Sequence, residues 1–248
     1  MSMHKTWIIL GASSPIARAF SAVAAAEKCD LILVGRDEQD LQANASDLRT
    51  RYQINAHVKV LDLGDTTQHA DLIKQCQELA PHGLNVYVAF AMMPSEHDLK
   101  NNPSLARDVL TVNAVAPIHF LESFMPVLTA QGQGHIIVMG SVAGDRGRRR
   151  NGIYSASKAC LNIYTESLRS RLGQDGIIVT LVKPGLVDTR MNFYSDKIPF
   201  AAKPEVCAFA CWQAAKYRKG TVYFPWFWRV IMFVVKRMPE SLLRRLAI

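Results

Sequence analysis

Tyr154 and Lys158 stand four residues apart in the segment MGSVAGDRGRRRNGIYSASK, so on a helix they stack on one face. A free phenol, with a reference pKa of about 10, is a poor acid–base group at neutral pH. An ammonium beside it favours the phenolate and makes the tyrosine a usable proton donor and acceptor. Upstream, Ser141 closes an apolar run, where a strand end can aim its hydroxyl at a carbonyl oxygen. Together the three suit proton transfer to or from a carbonyl or secondary alcohol. A tyrosine–lysine pair alone is common on solvated helices, so its weight comes from Ser141 and from the elements around it.

A second group sits near the N-terminus. TWIIL-GASSPIA ends an apolar run on Gly11 and begins a helix a few residues later. Free helix N–H groups and the helix dipole favour an anion there, and Ser13 and Ser14 add hydroxyl donors beside Ile16. The three-glycine fingerprint of dinucleotide turns is incomplete, with Gly11 followed by Pro15 and Ala17. Pro15 suits the first helical position, which needs no N–H, and Ala17 is the smallest substitute where helix and strand must approach. The next apolar run ends LVGRD. An acid at its end would bind a ribose diol; Arg36 stands there instead, and a guanidinium suits a 2′-phosphate. The pattern favours NADPH over NADH. Asp37 is then free to cap the following helix, while Asp62, after the third run, suits an adenine edge or equally a plain loop, with Leu63 beside it on the adenine side.

These residues need a frame that brings strand ends and helix starts to one edge. Seven short β-like runs alternate with helix-period segments: 6–10, 31–35, 57–61, 86–90, 135–139, 177–182 and 221–224. Most are continuously apolar and β-branched, as expected of strands covered on both faces. The helical stretches include 17–27, 37–52, 67–79 and 104–128. The expectation is an α/β chain with a Rossmann-type, doubly wound, parallel seven-stranded sheet in a single domain. Residues 1–224 would be the nucleotide-binding catalytic part, 186–205 its substrate loop, and 225–248 an aromatic–basic extension of the same domain.

Composition narrows the field. At 248 residues, 49% apolar, the chain can bury a sizeable core, and no polar repeat suggests disorder. Five scattered cysteines make no disulfide framework, and Cys207 and Cys211 lack the neighbours a zinc site needs, so no metal is expected. Of the net +8, the segment from Lys216 onward carries +7, with eight basic residues against Glu240 alone. The body is close to neutral, which argues against nucleic acid and towards a role specific to the C-terminus. Met1 to Lys5 lead into only five apolar residues, and no run approaches a spanning helix, so a cytoplasmic protein is expected, one that a membrane surface could still hold.

With these motifs in order, the sequence resembles the short-chain dehydrogenase/reductase family over essentially its whole length. The family's serine matches Ser141, its YxxxK matches Tyr154 and Lys158, and its helix-four asparagine matches Asn113 in TVNAVAP. Its P-G motif matches Pro184 and Gly185, with nicotinamide contacts at Val187 and Thr189. The resemblance implies that Tyr154 protonates the carbonyl as hydride arrives from the nicotinamide. It implies that Lys158 lowers the tyrosine pKa and holds the nicotinamide ribose, and that Asn113 supports a water linking Lys158 to solvent. It also implies a homodimer or homotetramer built on the helices bearing Asn113 and Tyr154. One departure stands out: the family's N-N-A-G after strand four is replaced by Ala89, Phe90, Ala91 and Met92.

Two features bear on the substrate. Arg146, Arg148, Arg149 and Arg150 lie between Ser141 and Tyr154, on a loop expected to overhang the site; such a charge run is ordinarily a solvated loop, but beside the catalytic strand four arginines suit a phosphate-bearing substrate. The ending from Thr221 sets Phe224, Trp226, Phe227, Trp228 and Phe233 beside Arg229, Lys236, Arg237, Arg244 and Arg245. That mixture fits an interfacial anchor, and it equally fits a cover for the sheet edge or a subunit contact. The loop GDRGRRRNxxY and the ending PESLLRRLAI resemble those of the decaprenylphosphoryl-keto-ribose reductases, which implies a lipid-linked keto sugar as substrate and Arg148, Arg149 and Arg150 as its contacts. Two rivals stay open. A reductase of an apolar lipid or steroid ketone would need no arginines. A non-catalytic NADPH-binding scaffold would need no Ser141–Tyr154–Lys158 set.

Overall fold

Strands form where the chain runs apolar for about five residues between turn signals. In the computed structural model, which describes residues 5–173, 176–189 and 201–245, these are β1 (Thr6–Leu10), β2 (Leu31–Gly35), β3 (Ala56–Val60), β4 (Leu84–Val88), β5 (Gly134–Met139), β6 (Ile177–Pro184) and β7 (Thr221–Phe224). All pair in parallel, in the order β3-β2-β1-β4-β5-β6-β7. The order reverses between β1 and β4, which opens a crevice beyond their C-terminal ends. Of the substrate loop expected over 186–205, residues 190–200 lie outside the described residues, as do residues 246–248 of the extension.

Alternate strand residues feed two cores, because side chains on a strand point to opposite faces. On one face Trp7, Ile9, Leu31, Leu33, Tyr87 and Ile137 meet α1 (Pro15–Ala26), α2 (Glu38–Tyr52) and α8 (Pro204–Lys216). Phe20 stacks on Tyr87 at 4.1 Å between ring centroids, and Trp7 and Trp212 close around Phe20. On the other face Ile8, Leu10, Ile32, Val34 and Val86 meet α3 (His69–Leu79), α6 (Ala116–Gln131) and α7 (Gly152–Leu172). Cys207 and Cys211 are core residues of the first face: Tyr87 donates its hydroxyl to the Cys211 sulfur at 3.9 Å. Among the described residues no cluster could hold a metal ion.

The helix starts are set by local chemistry. Ser14 caps α1, its Oγ accepting from the Ala17 amide, with Pro15 in the first turn. Asp37 caps α2, and Glu38 and Asp40 place negative charge at its N-terminal end. Between β4 and β5 the chain forms α4 (Glu96–Asn101), with a reciprocal Ser95–Asp98 cap, and α5 (Leu105–Leu110). The single helix expected over 104–128 is broken: residues Thr111–Val115 form a π-turn between α5 and α6. Beyond β7 come α9 (Trp228–Arg237) and α10 (Glu240–Arg245). No helix among the described residues is long and apolar enough to cross a membrane.

Candidate active site

Ser141 leaves the end of β5 in an extended conformation, and its Oγ accepts from the Ala143 amide at 3.0 Å. That leaves its proton free to point across to Tyr154, on the first turn of α7, with which it forms a side-chain hydrogen bond. Asn162, two turns along α7, donates to the Ser141 carbonyl at 3.2 Å and holds the serine backbone in place. Gly140 is what makes room for this: a Cβ there would lie 2.2 Å from Asn162 Oδ1. Lys158 is buried beneath the tyrosine, its Nζ 6.0 Å from the phenol ring centroid, and donates to the Met139 carbonyl at 2.9 Å. Burial brings its pKa down to about 8.

The electrostatics of Tyr154 differ from what the resemblance implies. Burial pushes the phenol above its ordinary value; the Ser141 hydrogen bond and the Arg148 charge pull the other way. The cation that draws the Tyr154 pKa down in this geometry is Arg148; the Lys158 ammonium lies beneath the ring and donates to a backbone carbonyl. The arginine loop divides accordingly. Arg148 turns inward, its own pKa lowered by burial, and its Nε is buried with no hydrogen-bond partner among the described residues. Arg149 and Arg150 are exposed, and Arg146 donates to the Met238 carbonyl at 3.3 Å. The three arginines expected to act together are therefore one inward group and two solvated ones.

Asn113 lies in the π-turn, fully buried. Its Oδ1 accepts from the Met92 amide at 2.7 Å, and its Nδ2 donates to the Met92 carbonyl at 2.8 Å and to Ser157 Oγ at 3.1 Å. One side chain thus ties the segment after β4 to α7. That segment passes close over the first turn: a Cβ on Gly11, at φ +82°, would meet Phe90 backbone atoms at 2.9 Å. Gly11 is needed on both counts, for its positive φ and for this approach.

The phosphate turn keeps its donors despite the missing glycines. The Gly11 and Ala12 amides bond to Val34, and the Ser14 amide to Gly11. Among the described residues the amides of Ser13 and Ile16 have no protein acceptor, and Pro15 has none to satisfy. Two N–H groups at a helix start, with the Ser13 hydroxyl standing over Gly35, fit an anionic phosphate. Arg36 is 79% exposed at the end of β2, with only a loose 3.9 Å pairing to Asp62, so its guanidinium is available to a ligand. Leu63 is buried, and its carbonyl bonds the His69 ring at 3.1 Å, which fixes the backbone that follows β3. At the far side, the Gly185 amide donates to Phe224, Pro184 pairs with Phe224, and buried Val187 bridges to Ala202. Thr189, half-buried, borders the residues outside the described set.

Two groups escaped the sequence reading. Asp145, at the base of the arginine loop, accepts from Lys183 Nζ at 2.9 Å and from the Tyr223 hydroxyl at 2.5 Å, with both charged side chains buried. Burial and the bond to Asp145 raise the Tyr223 pKa. Trp228, the first residue of α9, sits so close to Gly185 that a Cβ there would lie 2.0 Å from its Nε1. The C-terminal segment is thereby seated on the P-G turn itself.

Known proteins resemble this chain in sequence and in fold. The family model described as short chain dehydrogenase matches residues 5–197. An uncharacterized oxidoreductase of Staphylococcus epidermidis is 31% identical over 193 residues, 78% of this chain and 82% of that protein. Another, of Mycobacterium tuberculosis, is 27% identical over 217 residues, 87% of each. A solved short-chain dehydrogenase from Sphingobium yanoikuyae, in complex with NADPH, superposes with a TM-score of 0.83 at 23% identity, covering 96% of this chain and 97% of that one. A structure of a 7β-hydroxysteroid dehydrogenase gives 0.84 at 21% identity, over 98% and 96%. At such identities both likenesses speak to the fold.

Proposed function

Because the chain belongs to the short chain dehydrogenase family, we propose that it is an NADPH-dependent oxidoreductase that interconverts a carbonyl and a secondary alcohol, with Tyr154 as the proton-transferring group. The observation that carries the reading is the buried Tyr154–Ser141 pair with Lys158 beneath it at the C-terminal edge of β5. A bound NADPH would supply the hydride; the chain itself handles the proton. With its pKa raised by burial, Tyr154 holds its proton at neutral pH and presents it at Oη, the state a carbonyl reductase needs. Ser141, anchored by the Ala143 amide and by Asn162, orients the carbonyl oxygen. Lys158, with a pKa near 8, stays largely charged at neutral pH and stabilises negative charge developing on the phenol.

The amides of Ser13 and Ile16 with the Ser13 hydroxyl would hold the pyrophosphate, Arg36 the 2′-phosphate, Asp62 and Leu63 the adenine side, and Pro184, Gly185, Val187 and Thr189 the nicotinamide side. The NADPH complex of the Sphingobium enzyme supports the choice of cofactor. For the substrate we favour a carbonyl compound bearing a phosphate, such as a polyprenyl-phosphate keto sugar. The support is Arg148, an inward guanidinium beside Tyr154 whose buried Nε has no partner among the described residues. Exposed Val115 and Ile163, at 54% and 69% on the helices bearing Asn113 and Tyr154, support assembly into a homo-oligomer through that face.

The test is a fluorescence titration with NADPH and NADH, repeated with Arg36→Asp, followed by NADPH oxidation with phosphorylated and neutral ketones in wild type and Tyr154→Phe. The expected result is NADPH preference that collapses in Arg36→Asp. Turnover should fall by about 10²–10⁴-fold in Tyr154→Phe with cofactor binding intact. Preference for NADH, or full turnover without the phenol, would refute the reading.

A further inference from the structure

We propose that the outer face of α9 docks on an anionic lipid bilayer. The helix has two distinct apolar faces. Trp228, Met232, Val235 and Met238, spaced at helical intervals, turn inward: Trp228 packs on Gly185 and Met232 is 6% exposed. Those contacts account for the helix's attachment to the body. The opposite side is apolar and exposed: Val230, Phe233 and Val234 are 54–58% exposed, and Trp226, just before the helix, is 76% exposed. A helix whose inner face already satisfies its packing does not need a second apolar face for folding, so the outer one needs another occupant.

Charge selects that occupant. Arg229 and Lys236 line one flank between the two faces, and Arg237 stands on the outer face, its guanidinium 3.7 Å from the Phe233 ring centroid. Lys216, Arg218 and Lys219 lie just upstream, in a segment carrying +7 of the chain's +8. Two copies meeting through this face would bring like charges together, whereas a surface of acidic headgroups complements them. Ten residues of α9 span about 15 Å, half of the bilayer core, so the helix can lie in the interface and cannot cross it. Trp226 and Phe233 would enter the headgroup boundary while the long basic side chains reach phosphate. Since Trp228 rests on Gly185 and Arg146 reaches the Met238 carbonyl, the docked helix would hold the arginine loop and the catalytic crevice at the membrane surface. Docking is argued from α9 alone and does not depend on the reaction read at Tyr154.

The experiment is co-sedimentation of the full chain with vesicles of phosphatidylcholine alone and of phosphatidylcholine with one quarter phosphatidylglycerol, at low and high salt. Wild type is expected to bind the acidic vesicles, and salt should weaken the binding. Arg229→Glu/Lys236→Glu/Arg237→Glu should bind at least a hundred-fold more weakly, and Trp226→Ser/Phe233→Ser should also lose binding. Thermal melting and NADPH fluorescence verify that both variants fold; all five positions are solvent-exposed. Absence of wild-type binding to acidic vesicles would overturn the proposal. So would light scattering that shows a wild-type dimer converted to monomer by Trp226→Ser/Phe233→Ser, which would make the face a subunit contact.

Discussion

Lys183→Met isolates the buried cluster under the arginine loop. The lysine's side chain is 6% exposed and that of Asp145 2%, so removing the ammonium leaves a carboxylate in the interior with, among the described residues, the Tyr223 hydroxyl as its remaining side-chain partner. Glu166, the other acid near Lys183 at 3.3 Å, is 49% exposed and simply solvates, so its loss adds little. Breaking a buried pair from one side costs about 3–5 kcal/mol, because the stranded charge is what costs, more than the lost attraction. For a chain of this size each kcal/mol moves Tm by about 2–4 °C, which gives a fall of about 10 °C. Lys183→Met/Asp145→Asn removes both charges and keeps an acceptor for Tyr223, and it should regain more than half of the loss. Thermal unfolding followed by circular dichroism measures both. A fall below about 2 °C in the single variant, or a double variant no better than the single, would refute the account.

Two further outcomes follow from titrating groups. With Lys158 lowered to about 8 by burial, single-turnover carbonyl reduction should be flat at neutral pH and fall as pH rises through 8. Lys158→Arg, which stays charged, should remove that limb, and a limb unchanged in this variant would exclude Lys158 as its source. His135 is 5% exposed, and its pKa is held down to about 4 by burial and by the charges of Arg218 and Lys5. A histidine lowered in the fold binds fewer protons than in the unfolded chain, so stability is intact above pH 6.5 and is lost as pH falls towards 4, by about 3 kcal/mol. Urea unfolding at pH 7 and 4.5 measures this; an equal loss in His135→Gln would assign it to other groups.

The strands, and the meeting of Ser141, Tyr154 and Lys158 at the end of β5, were legible because their signals are local. Continuous apolar runs mark β1, β2 and β7 to the residue, and Pro15 and Asp37 mark helix starts. Harder to read was whatever depends on two distant segments. The π-turn leaves no trace in hydrophobic spacing, so 104–128 read as one helix. Four arginines within five residues look alike in sequence; only packing turns Arg148 inward and sends Arg149 and Arg150 to solvent. One miss had a signal: Lys183 is a charge at the end of a buried apolar strand, and such a charge must find a partner. The seat of Trp228 on Gly185 had none, since neither residue announces the other.

The π-turn at Thr111–Val115 also bears on how the chain can change length. A π-turn is a helix carrying one residue more than its hydrogen-bond ladder needs. Deleting any residue within it would leave a regular helix from α5 into α6, an ordinary local improvement. It would also remove the wide turn that carries Asn113, which could then no longer hold Met92 and Ser157 together. A one-residue deletion at this point would therefore leave both helices intact and release the segment after β4 from α7.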